Sequence, residues 1–242
     1  MSRLSKLHIA FAISIFLFFP LAVNASVFPE SFIEFRETVY LQNKTLPETT
    51  SLYTAAKQDI EESFVDADLF LALSRCEYLM GLSFKAEGRD GEAAAFFEEG
   101  IKWAERSLEI CPTSEGYRLL GTNISFLCEV RRSYGLMNFG RIEENGKKAL
   151  ELDPDNLAAQ YLIATPYIIA PWPLADVRKG AAILDQVITQ NYLAMEKESL
   201  FGLYLMLEAA CLKQRKNQEA QIWREKAAEI YPGNNFISLL MK

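Results

Sequence analysis

Three segments of the chain align without gaps, and each reads as the end of a helix. They are Ser107-Leu108-Glu109-Ile110-Cys111-Pro112, Ala149-Leu150-Glu151-Leu152-Asp153-Pro154 and Ala227-Ala228-Glu229-Ile230-Tyr231-Pro232. Each ends on proline, which has no N–H to donate and whose ring clashes with the turn before it, so the helix cannot run on. Pro112 and Pro154 stand 42 residues apart, and Pro154 and Pro232 stand 78 apart, or two units of 39. Such a period confines the chain to a stack of supersecondary units, because no single unit can bury its apolar face alone. The unit without a terminal proline is expected to end near Tyr192, where Gln190-Asn191 supply the stop.

Each unit pairs two helices. In the first, Gly81 and Phe84 precede a turn at Gly88-Arg89-Asp90-Gly91, and Ala93, Phe97 and Gly100 follow on one face. Tyr117, Leu120, Gly121 and Ile124 fill the same places in the second unit, and Ile163, Ala164 and Tyr167 in the third. In the fourth, Tyr204 and Leu207 lead through Lys216-Asn217 to Ala220, Trp223 and Ala227. Small residues let antiparallel helices approach, and large ones fill the groove between them.

From Asp66 to Pro232 this pattern resembles the tetratricopeptide repeat (TPR) family, most closely at Asp153-Pro154-Asp155-Asn156. The resemblance implies an all-α fold, a right-handed α-solenoid of helix–turn–helix units. Three features depart from the family: units of 39 to 42 residues, longer than usual, an inserted connection at Pro171-Trp172-Pro173, and Glu208 where alanine or glycine is expected. Residues 66–232 are therefore expected to form about four units. Residues 26–65 should form capping helices, Glu30 to Gln42 and Pro47 to Phe64, and residues 233–242 a short closing helix. With no Gly/Ser/Pro-rich linker between them, these parts read as one elongated domain.

Residues 1–25 read as a targeting segment. Arg3 and Lys6 precede an almost wholly apolar run from Leu7 to Val23, and Val23-Asn24-Ala25 offers small residues where a signal peptidase reads. Cleavage after Ala25 is expected in preference to a retained membrane anchor, because the run is short and Pro20 precedes a good site. The protein is then periplasmic or secreted, with no stable membrane span after signal removal.

Composition removes several chemistries. The one histidine, His8, lies in the targeting segment, so the mature chain cannot host a Ser-His-Asp or Cys-His machine or a histidine-ligated metal. The formal charge of −7 argues against a nucleic-acid partner. Cys76, Cys111, Cys128 and Cys211 are separated by 35, 17 and 83 residues, which leaves no close pair for zinc. Across the first helix pair, Cys76 and Cys111 are offset by about 15 Å, too far for a disulfide. Buried free thiols are expected. Acidic pairs such as Glu61-Glu62, Glu98-Glu99 and Glu143-Glu144 read as solvated helix faces. No catalytic residue, metal ligand or cofactor site emerges.

The resemblance implies a concave groove lined by the first helix of each unit. Mapped here, the groove positions are Arg75, Tyr78, Leu82 and Lys85; Arg118, Thr122 and Phe126; Tyr161, Thr165 and Ile169; and Leu205 and Lys213. Four are basic and none is acidic, which suits an acidic protein or peptide segment. The competing reading has Arg75 and Arg118 pair with glutamates of the chain such as Glu77 or Glu115. Trp172, held between Pro171 and Pro173, is a candidate contact ridge. The expected function is an exported, non-catalytic TPR scaffold for a protein or peptide, with no cofactor. The alternative is a solute- or lipid-binding accessory component of a membrane transport system. A polar, open groove marks the first, and a closed apolar tunnel, on the order of several hundred cubic ångströms, marks the second.

Overall fold

Proline and cap chemistry set the helix ends. The computed structural model describes residues 28–171 and 173–239, all of them helix or connection. The targeting segment and Trp172 lie outside the described residues. Two leading helices, α1 (Glu30–Leu41) and α2 (Leu46–Ser63), precede four antiparallel pairs. The pairs are α3 (Asp66–Ala86) with α4 (Asp90–Ile110), α5 (Ser114–Val130) with α6 (Arg132–Leu152), α7 (Leu157–Ile169) with α8 (Val177–Ile188), and α9 (Lys197–Lys213) with α10 (Asn217–Ile230). A last turn, α11, spans Phe236–Leu239. Helices α4, α6 and α10 each stop two residues before Pro112, Pro154 and Pro232. The helices that follow are started by side chains: Thr113 Oγ1 accepts from the Gly116 N–H at 3.0 Å, and Asn156 Oδ1 accepts from Ala159 at 2.9 Å. Each such cap contributes about 1 kcal/mol.

The described residues form an all-α solenoid of antiparallel helix pairs, each packed on the next. Gly81 shows why small residues recur. A Cβ there would sit 2.5 Å from Phe97 Cε1, so only glycine lets that ring lie against α3. Gly88, at φ +71°, takes the left-handed turn between α3 and α4. A buried polar stitch joins successive units: Ser74 Oγ donates to the Gly100 carbonyl at 2.7 Å, and Asn123 Nδ2 donates to Ser74 Oγ at 3.3 Å. Glu208, the departure from the family pattern, is fully buried and neutralised across its own pair by Arg224 at 2.6 Å.

The solenoid is not elongated, because its two ends meet. Tyr40 at the end of α1 stacks on Tyr231, with centroids 4.9 Å apart and planes at 15°, and Phe201 of α9 meets Tyr40 edge-on at 6.0 Å. Asn234 Nδ2 donates to the Tyr40 carbonyl at 2.6 Å, Lys197 pairs with Glu37 at 2.7 Å, and Arg36 pairs with Glu198 at 3.2 Å. The terminal elements thus close against each other rather than covering two separate edges. Helices α1, α3, α5, α7 and α9 form an inner ring, and α4, α6, α8 and α10 pack outside it. Of the four free cysteines, Cys76, Cys128 and Cys211 are buried, but Cys111 is exposed: it follows the last turn of α4, where the chain leaves the core for Pro112. Among the described residues no helix is long and apolar enough to cross a membrane.

Candidate functional site

The inner ring encloses a cavity of about 980 Å³. Leu82, Phe126, Leu162, Ile168, Phe201 and Leu205 supply its apolar wall. Tyr40, Tyr78 and Tyr161 form one end, with the Tyr40 and Tyr78 hydroxyls 3.4 Å apart. Burial, reinforced by mutual proximity and the Glu198 carboxylate, pushes the Tyr40 phenol well up, and burial raises Tyr78 and Tyr161 too. These hydroxyls stay protonated across the physiological range and act as neutral hydrogen-bonding groups. The opposite end is a mouth of exposed residues, among them Glu129, Arg132, Leu136, Pro171 and Lys213.

Behind the tyrosines the character changes. A narrow space bounded by Arg36, Arg75, Arg118 and Glu198 leads toward a second opening of about 470 Å³, lined by Glu115, Asp155, Asn156 and Glu196. The ring axis therefore runs from a polar end, past a tyrosine constriction, into an apolar chamber. The polar end is the side on which α5, α7 and α9 begin, and the apolar mouth is the side on which α3, α5, α7 and α9 end.

Ten of the twelve expected groove positions line the apolar chamber: Tyr78, Leu82, Lys85, Thr122, Phe126, Tyr161, Thr165, Ile169, Leu205 and Lys213. Arg75 and Arg118 lie beyond the tyrosines. They do not face an open groove. Arg118 forks onto Glu115, with Nε to Oε2 at 2.6 Å and Nη2 to Oε1 at 2.5 Å. Arg75 bridges Glu115 at 2.9 Å and Glu196 at 2.8 Å. Lys85 pairs with Glu129 at 3.2 Å and lies over the Phe236 ring. The acidic groups these three cations meet belong to the chain itself. Burial alone would raise the Glu115 carboxyl, but Arg118 and Arg75 overcome it and hold the group at about 2. Thr122 Oγ1 donates a hydrogen bond to the Arg118 carbonyl at 2.9 Å.

Lys213 differs from these cations. Its Nζ donates to the Ile168 carbonyl, and partial burial pushes its ammonium down with no carboxylate to offset it. Ring closure by Tyr40, Phe201, Tyr231 and Phe236 had no signal in the repeat pattern, since these residues lie in different units or outside the repeats. Among the described residues no group of three or more His, Cys, Asp or Glu side chains is placed to hold a metal.

No family model matches the chain, and no curated protein matches it. Among the solved structures similar to it are two of a Podosopora anserina putative kinesin light chain with nearly identical TPR-like repeats, one a single-substitution variant. The variant is 16% identical over 83% of this chain and 94% of its own, with a TM-score of 0.41. The other is 16% identical over 83% and 95%, with a TM-score of 0.40.

Proposed function

We propose that this protein is an exported, non-catalytic binding protein that holds a small apolar molecule inside its helical ring. The observation that carries this reading is the largely apolar chamber of about 980 Å³ inside the ring, which opens through a mouth rimmed by charged side chains. Its volume is at the upper end of the range for small-molecule sites, about 300–1,000 Å³. An acidic peptide is disfavoured because Arg75, Arg118 and Lys85 are already paired with Glu115, Glu196 and Glu129. Export is read from Arg3, Lys6 and the apolar run ending at Val23-Asn24-Ala25. An exported apolar-ligand carrier suits a solute- or lipid-binding component that serves a membrane transport system.

The test is a fluorescence titration with N-phenyl-1-naphthylamine, a neutral probe that brightens in apolar surroundings. One saturable site is expected, weakened by Leu205→Glu, which puts a carboxylate on the apolar wall. A chain that leaves the probe dark, or a Leu205→Glu variant that binds it unchanged, contradicts the reading. N-terminal sequencing of the exported protein should begin at Ser26.

A further inference from the structure

We infer that the ligand is a single-chain amphiphile with an anionic head, seated tail-inward with its head between Arg132 and Lys213 at the mouth. The inference rests on the apolar-ligand reading and names the chemistry of its occupant.

The orientation follows from what each end offers. The inner end is closed to a second anion, because the Glu198 carboxylate already lies there, paired to Arg36 at 3.2 Å. The tyrosine hydroxyls beside it are buried and neutral. An anionic head driven inward would lose its water and meet a carboxylate, whereas at the mouth it keeps part of its hydration.

The mouth holds three cations and two acids: Lys85, Arg132 and Lys213 against Asp90 and Glu129. Glu129 is bound to Lys85, and Asp90 occupies the first turn of α4, where a negative charge is already favoured. That leaves Arg132 of α6 and Lys213 of α9, two cations lining the same cavity with no carboxylate in ion-pair range among the described residues. The Ile168 carbonyl that Lys213 now contacts is a neutral acceptor, and its ammonium is partly withdrawn from water. A carboxylate at this mouth would accept from these cations in charge-assisted hydrogen bonds while the alkyl chain covers Ile168, Leu205 and Phe126. The charge excess at this rim contrasts with the acidic balance of the whole chain.

The experiment displaces N-phenyl-1-naphthylamine from the full chain with decanoate, decanol and decyltrimethylammonium, below their micellar concentrations and at low salt. Decanoate should displace the probe about tenfold more tightly than the ammonium, and the gap should narrow in high salt. Arg132→Ala/Lys213→Ala should bring decanoate down to the level of decanol. Arg132→Glu/Lys213→Glu should make the ammonium the better competitor. Equal displacement by all three amphiphiles, or a preference that survives both double variants, overturns the head-group assignment and leaves the chamber reading standing. Failure of all three to displace a bound probe overturns the tail-inward orientation as well. Failure of the probe to bind at all removes the chamber reading on which both depend.

Discussion

Closure of the ring can be measured directly by a double-mutant cycle between its two ends. Tyr40 and Tyr231 stack at 4.9 Å, and Phe201 meets both edge-on, at 6.0 Å and 5.2 Å. Tyr231 is fully buried. Replacing either tyrosine by leucine keeps apolar bulk but loses the ring contacts, which should cost about 2 kcal/mol in each single variant. The stacked pair should then appear as a coupling of about 1 kcal/mol between the two substitutions. Any local effect of Tyr40→Leu on the Tyr78 hydroxyl is present in both legs of the cycle and cancels. Urea unfolding of wild type, both singles and the double, followed by far-ultraviolet circular dichroism, supplies the four free energies. An open solenoid separates these side chains by the whole length of the stack, so their effects would then add. A coupling within about 0.3 kcal/mol of zero would falsify closure.

Three further expectations concern packing and charge. Gly81→Ala should destabilise by about 1–2 kcal/mol, because its Cβ lands 2.5 Å from Phe97, while Gly140→Ala, with nothing within 4 Å, should stabilise α6 by about 0.5–1 kcal/mol; urea midpoints separate the two. Arg224→Met leaves the Glu208 carboxylate buried without its partner, a loss of about 3 kcal/mol at neutral pH that shrinks in acid as Glu208, already raised by burial, takes up its proton. Glu115 is held at about 2 in the folded chain, below the unfolded carboxyl near 4.3, so its stabilisation is complete above that value and is lost as pH falls toward about 2. Since its side chain is 37% exposed, that contribution is about 1 kcal/mol, and Glu115→Gln should remove it from the pH profile of stability.

The helix pairs were legible because proline and glycine act locally: Pro112, Pro154 and Pro232 stop helices wherever they stand, and Gly88 takes a left-handed turn. Inward-facing positions were legible through the repeat resemblance, which, mapped onto the first helix of each unit, places Leu82, Thr122 and Leu205 where they line the chamber. Curvature was not. It sums small rotations between units, so nothing near Tyr40 in the sequence points to Tyr231 or Phe201. Charge pairing divided along the same line: Glu115 stands one turn before Arg118 and is found by local spacing, whereas Glu196 reaches Arg75 only once the ring has closed. The competing reading, in which Arg75 and Arg118 pair with a glutamate of the chain, holds at Glu115 but not at Glu77, which pairs with Lys57. Cys111 was misplaced because helical spacing was carried one residue past the end of α4.

The chamber itself is tested most directly by the length of chain it accepts. A homologous series of straight-chain alcohols, competed against the neutral naphthylamine, carries no charge and so reads the apolar wall alone. Each added methylene that reaches the wall should contribute about 0.8 kcal/mol, or about fourfold in affinity. A cavity closed at Tyr40, Tyr78 and Tyr161 predicts that this rise stops at a definite length and that longer alcohols gain nothing. An affinity that climbs without a break up to the micellar limit, or that does not depend on length, would contradict an enclosed apolar chamber.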